Sequence, residues 1–195
     1  MDTPTNTLFN ILNKISPISH ESWEAAKSLF HIHHFEKNTH VIEMDDTVTE
    51  LFFMISGLAR YYYLTQEGKE FNKSFQTTGN VLTSISSLVE DKPSPFFIQT
   101  MLPTKCLSIS YENLKSLGEK HPQWNRLNFS LLELVLIRKE SREADFLLLD
   151  ATQRYEKFLN EFSHVVDQIP NYHIASYLGI TEVQLSRIRS HLKLT

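Results

Sequence analysis

Six residues near the C-terminal end of the chain, Glu182, Val183, Gln184, Ser186, Arg187 and Ser190, fall on one side of a helical period whose other side holds Leu185 and Ile188. These types match base edges in a groove. Arginine pairs with guanine O6 and N7, glutamine with adenine, glutamate accepts from cytosine N4, and valine meets a thymine methyl. Thr181, Arg189, His191 and Lys193 suit phosphate oxygens, together with the N–H groups of a helix start. An ordinary helical hairpin with a solvated polar face would carry the same residues.

The framework that would hold them is legible between Asn171 and His191. Ile174, Ala175, Leu178, Gly179, Ile180, Leu185 and Ile188 stand at the spacing of a helix-turn-helix. Ala175 is small where two helices cross, Gly179 supplies a turn with φ > 0, and the aliphatic residues cover the inner faces. Thr181 and Gln184 form a capping-box pattern that starts the second helix at Glu182.

Upstream, Leu8, Ile11, Leu12 and Ile15, then Pro17, then Trp23, Ala26, Lys27 and Phe30, predict two short helices. From His31 to about Ser110 the texture turns to short β-rich runs broken by turn residues. The clearest are Leu51 to Ser56, Ala59 to Leu64, Phe71 to Gln76, Phe96 to Leu102 and Lys105 to Ser110. Many short strands at this spacing predict a β-barrel or jelly roll. Glu112 to Leu117 reads as a helix closed by Gly118, and Pro122 opens a longer one. From Trp124 to about Leu148 that helix has neither Pro nor Gly, and Leu131, Leu132, Leu134, Val135, Leu136 and Ile137 make it apolar nearly all round. Such a helix must be covered on every side, by the barrel on one face and a partner subunit on the other, or by two domains of one chain. The final segment, Gln153 to Thr195, has its own apolar spacing at Tyr155, Phe158, Leu159, Phe162, Val165 and Val166. The expected division is a jelly-roll domain with flanking helices over 1–120, a dimerisation helix and hinge over 121–150, and a helix-turn-helix domain over 151–195.

Composition narrows the function classes. The chain has 195 residues and five glycines, and holds neither GxGxxG nor GxxxxGK[ST]. With Cys106 as the sole cysteine, an internal disulfide, a CxxC pair and a cysteine-ligated cluster are excluded. Its place beside Lys105 in an apolar strand reads as core. A reducing cytoplasm is the expected compartment, and neither a signal peptide nor a membrane span is legible at the N-terminus or in the short run Leu51 to Ile55. The net charge of -4 divides unevenly: 14 basic against 19 acidic residues over 1–150, and 5 against 4 over 151–195. The acidity belongs to the first part, and the nearly neutral last part predicts modest non-specific affinity for DNA.

His31, His33 and His34 beside Glu36 invite a cupin-like metal site. Such a site needs a Glu three or four residues after His-x-His and a later His, and Lys37 and Asn38 stand where the Glu would be. No catalytic triad, paired carboxylates or Cys-His dyad is legible, so neither a catalytic nor a metal-ligating residue is assigned and a non-enzyme is expected.

Over nearly its whole length the chain resembles the catabolite activator and FNR (Crp/Fnr) family of transcription regulators. The likeness is carried by Leu51-Phe-Phe-Met-Ile-Ser-Gly57-Leu-Ala-Arg60, by Glu67-Gly-Lys-Glu70, by Ile109-Ser-Tyr111, and by Ile174-Ala-Ser-Tyr-Leu-Gly-Ile-Thr181 followed by Leu185-Ser-Arg-Ile-Arg189. The resemblance implies an α+β protein with an N-terminal cyclic-nucleotide-binding-like jelly roll, a long dimerisation helix and a C-terminal helix-turn-helix. It implies a homodimer on a palindromic operator in double-stranded DNA, with RNA polymerase as a further partner and a small-molecule effector that the sequence does not name. The alternatives are a protein-interaction module of the same fold that no longer binds DNA and a cupin-like metalloenzyme.

Two departures bear on that implication. The family's nucleotide cassette carries Gly-Glu and later Arg-Ser/Thr-Ala, whereas here Asn80 follows Gly79 and Ser94-Pro95-Phe96 replaces the arginine triplet. A cyclic phosphate would lose its charge-assisted contacts, so no cofactor is evident and weak or no cyclic AMP binding is expected. A candidate ligand pocket would be lined by Tyr61, Tyr63, Phe71, Phe75, Gly79, Asn80, Phe97 and Gln99, residues that serve equally as barrel core. Few residues follow Arg189, which leaves no room for the wing expected after the recognition helix.

Overall fold

The computed structural model describes residues 3–192. Helix α1 (Pro4–Ile15) starts where Thr3 accepts from the Asn6 amide and Pro4 occupies the first turn, and it buries Leu8 and Leu12. Helix α2 (His20–Ala26), capped by Ser19, buries Trp23 and Ala26 and runs into a 3-10 turn at Lys27–Leu29.

Eight strands follow: β1 (His31–Phe35), β2 (His40–Ile42), β3 (Glu50–Ser56), β4 (Leu58–Leu64), β5 (Glu70–Thr77), β6 (Val81–Leu82), β7 (Phe97–Thr100) and β8 (Thr104–Ser110), with helix α3 (Ile85–Glu90) between β6 and β7. They form two antiparallel four-stranded sheets of order β1-β8-β3-β6 and β2-β7-β4-β5. Inward residues from both, including Met54, Ala59, Leu82, Ile98, Leu107 and Ile109, fill one core with Leu8, Leu12 and the Trp23, Phe30, Phe53 and Trp124 rings. The corner between β3 and β4 requires Gly57. Its φ is +110°, and a Cβ there would lie 2.7 Å from the Thr104 Cα.

In β5 the pairing slips by one residue: Tyr61 faces Ser74 and Tyr62 faces Asn72, leaving Lys73 unpaired. This β-bulge resets the alternation of side chains. Asn72 and Phe75, three apart, would point to opposite faces of a regular strand, but here both point outward, while Lys73 lies 3.9 Å from the Phe96 ring inside the barrel.

Helix α4 (Tyr111–Lys120) is longer than its sequence pattern predicts, and Gly118 lies inside it. The helix ends at His121, whose amide donates to the Leu117 carbonyl; the next residue, Pro122, opens α5 (Pro122–Leu148). This correction has a simple cause: Gly118 keeps helical dihedrals because nothing there needs φ > 0. A second correction concerns α5. Trp124 and Leu127 are buried and Leu131 packs partly on the core, whereas Phe129, Leu132, Leu134, Val135, Leu136 and Ile137 are exposed, Phe129 at 67 % and Leu136 at 66 %. The apolar cover that the barrel gives α5 ends at Leu131, and beyond it the barrel meets the helix through a polar contact, Arg138 on Asn80.

Asp150 and Gln153 form a capping box that starts α6 (Ala151–Glu161), followed by α7 (Asn171–Leu178) and α8 (Glu182–His191). Their core holds Tyr155, Phe158, Phe162, Ile174, Ala175, Leu178 and Leu185, and it also takes Leu58, Phe75 and Met101 from the barrel. The outer face of β4 and β5 thus completes the core of the helical segment.

Candidate nucleic-acid interface and the barrel edge that supports it

Helix α8 begins as its sequence predicts. Thr181 Oγ1 accepts from the Gln184 amide at 3.2 Å, and Gln184 Oε1 accepts from the Thr181 amide at 2.8 Å. Gly179 at φ +71° ends α7, its amide donating to carbonyls of that helix's last turn. Leu185 is buried and Ile188 half-buried, while Thr181, Glu182, Val183, Gln184, Ser186, Arg187 and Ser190 are exposed. The outward set is therefore on one surface. Gln184 has its side-chain oxygen committed to the cap, and Arg189, half-buried, donates to the Asn171 side chain at 2.6 Å. Arg189 ties α8 to the start of α7 rather than standing free, and Lys193 lies outside the described residues.

The eight residues considered as a ligand pocket do not line one cavity. Tyr61 is buried against Phe96; Tyr63, at the edge of that ring, and its register partner Phe71, beneath Lys69, are both exposed, and Phe75 lies in the second core. Phe97 stacks on Tyr62, and Gln99 accepts from Arg60 at 2.7 Å. Asn80 bonds Arg138 of α5, beside Gly79 at the turn after β5. Strand alternation and the bulge separate them.

Inside the barrel, sequence reasoning missed Lys73. Its ammonium lies against Phe96 and faces Lys139 of α5, and burial first, then the Lys139 charge, lowers its pKa to about 8. The donor set offered to a cyclic phosphate contains no Glu–Arg cassette: the Ser94 hydroxyl donates to the Phe96 carbonyl, and Asn80 is engaged by Arg138. The residues present do not fit a cyclic nucleotide in the manner of that cassette. Burial pushes the Cys106 thiol up to about 12, consistent with a core position. His33 bonds Ser108 and His40 bonds Tyr62, and among the described residues no group of three or more His, Cys, Asp or Glu could hold a metal ion.

A buried polar cluster, also illegible in sequence, joins the barrel to α7. Arg60 on β4 donates through Nη1 to Glu70 (2.5 Å) and Asn72 (3.1 Å), and through Nε and Nη2 to Gln99. Asn72 Nδ2 donates to the His173 carbonyl at 3.1 Å and stands 3.0 Å from His173 Nδ1. The Asn72 amide donates to Ser176 Oγ at 2.9 Å, and that hydroxyl donates to the Glu70 carbonyl. From the other side, Arg142 of α5 donates to the Tyr177 carbonyl and covers the Tyr177 ring, while Phe146 packs on Gly179. The clue in the sequence was slight: an arginine amid an aromatic strand and an asparagine in its neighbour.

Among the described residues no helix is long and apolar enough to cross a membrane. Residues 32–121 match the family model for the cyclic nucleotide-binding domain. No curated protein matches the chain by sequence. Among solved structures, the c-di-GMP-responsive global regulator CLP of Xanthomonas campestris is similar at 17 % identity, covering 90 % of this chain and 92 % of that one, with a TM-score of 0.72. FixK2 from Bradyrhizobium japonicum is similar at 19 % identity over 84 % of each chain, TM-score 0.72. The Thermus thermophilus catabolite activator protein is similar at 17 % identity over 94 % of this chain and 86 % of that one, TM-score 0.58. Residues 32–121 thus match the cyclic nucleotide-binding domain, and the chain shares the fold of these proteins along nearly its whole length.

Proposed function

We propose that the protein is a DNA-binding transcriptional regulator that engages a two-fold symmetric operator as a homodimer, with the barrel as its sensor domain. The observation that carries this reading is the α8 surface, a capped helix with Leu185 buried and Glu182, Val183, Ser186, Arg187 and Ser190 exposed together. The bare apolar length of α5 supports pairing with a second copy, which would place two recognition helices about one turn of DNA, roughly 34 Å, apart. Val183 and Arg187 are assigned to base edges, with Gln184 reading through the amide nitrogen its cap leaves free. Thr181 and Lys193 are assigned to phosphate, and Glu182, Ser186 and Ser190 to bases or their bridging waters. Arg189 contributes by bracing the helix pair. The effector is not cyclic AMP in this reading, because neither carboxylate nor guanidinium of the cassette is supplied.

Selection from random duplex DNA by the purified protein tests this reading. Enrichment of a symmetric motif supports it, and no enrichment even at low salt refutes it in favour of an interaction module. Arg187→Ala should weaken specific binding by about 1–3 kcal/mol and relax one base position; an unchanged sequence preference removes Arg187 as a reader.

A further inference from the structure

Strand β5 is the outer edge of its sheet, and the backbone groups of such an edge need partners or a cover. Here the cover is α7. The Ser176 hydroxyl accepts from the Asn72 amide and donates to the Glu70 carbonyl, taking the place of a neighbouring strand. The Asn72 side chain accepts from Arg60 and uses both of its amide hydrogens on His173, at the carbonyl and at Nδ1. Phe75 then fits among Phe158, Phe162 and Tyr177. Because the bulge takes up Lys73, Asn72 and Phe75, three apart in sequence, lie on the same face.

We propose that Asn72 is a positioning residue: it clamps α7 to the barrel edge, so that β5, and not α5 alone, sets the orientation of the recognition helix α8. The functional consequence rests on the reading of α8 as a DNA-reading helix, whereas the clamp itself does not. A displacement of β5 reaches α8 by a short route. It passes from Asn72 to His173 and Ser176 in α7, then across the Gly179 turn.

The test compares full-length wild type with Asn72→Ala and Ser176→Ala in two measurements. In the first, hydrogen exchange of the 173–179 amides should speed up by about tenfold in each variant, with the β3 and β8 amides unchanged. In the second, symmetric duplexes differing in half-site separation are selected. Wild type should prefer a narrow range, and the variants should accept a broader one while losing about three- to tenfold at the best spacing. Altered spacing is a readout that simple loss of stability would not give. Should Asn72→Ala fail to fold, Ser176→Ala, on a half-exposed position, carries both measurements. Unchanged exchange in α7 overturns the clamp, and faster exchange with an unchanged spacing preference overturns the positioning role. If wild type selects no symmetric duplex, the regulator reading fails and the exchange measurement alone decides the clamp.

Discussion

His173 shows how a single ring can be confined to one protonation state. Its Nδ1 stands 3.3 Å from Arg60 Nη1 and 3.0 Å from Asn72 Nδ2, so two donors converge on one lone pair. A proton on that nitrogen would set donor against donor. Burial first, then the Arg60 charge, lowers the pKa to about 4, with the Glu70 carboxylate opposing. The linkage sign follows from this direction: the unfolded imidazole takes its proton near pH 6.5 and the folded one near pH 4, so stability is full above the higher value and declines as pH falls between them. The loss should be on the order of 1 kcal/mol after allowance for the half-open Glu70 side. His173→Asn keeps an acceptor near the Nδ1 position and cannot titrate. Urea midpoints at about pH 7.5 and about pH 5 should fall less in this variant than in wild type; equal declines would place the acid sensitivity elsewhere.

At the scale of elements, α5 leaves the barrel with its apolar residues uncovered. Leu136 and Ile137 are 66 % and 61 % exposed, more than a stable monomer needs to leave bare. Leu136→Glu should convert the protein to monomer in sedimentation at micromolar concentration and leave its circular dichroism unchanged. A persisting dimer would move the interface to another surface. What was legible in the sequence at this scale was local. The β3 to β5 strands and the α8 capping box depend on neighbours within a few residues, and their alternation and caps announce them. Gly118 misled because a C-terminal glycine and a mid-helix glycine differ only in the dihedrals that the following residues impose. The Lys73 bulge was invisible because register belongs to two strands at once, and an alternating pattern read along one of them cannot show a residue without a partner. The Arg60, Asn72 and His173 cluster joins residues 101 and 113 positions apart, beyond any spacing argument. Of the eight pocket residues, Phe75 takes its face from the bulge and packs against Phe158, Phe162 and Tyr177, whereas Phe97 and Gln99 lie opposite Tyr62 and Arg60 by ordinary alternation, away from Tyr61.

Across the whole molecule, the boundary near residue 150 separates elements but not cores. Leu58, Phe75 and Met101 of the barrel lie among Tyr155, Phe158 and Phe162, so cutting the chain there would expose aromatic surface on both pieces. A fragment covering 151–195 should lack cooperative unfolding and give the dispersion of an unfolded chain by NMR. A well-dispersed spectrum would show that the helices need no support from the barrel. The full chain should unfold in one calorimetric transition, because the second core cannot melt without releasing β4 and β5. The charge division has a parallel consequence. With 5 basic against 4 acidic residues over 151–195, DNA affinity should depend on salt less steeply than for a strongly basic module. The unpaired Lys73 separates two kinds of change in this architecture. Removing that residue would restore a regular strand in which Ser74 still opposes Tyr61 and Asn72 still opposes Tyr62. It is the one position of β5 that is supernumerary, an interpolation in the strand's grammar, and through it the chemistry of the barrel interior can be rewritten without rewriting the edge that carries the helices.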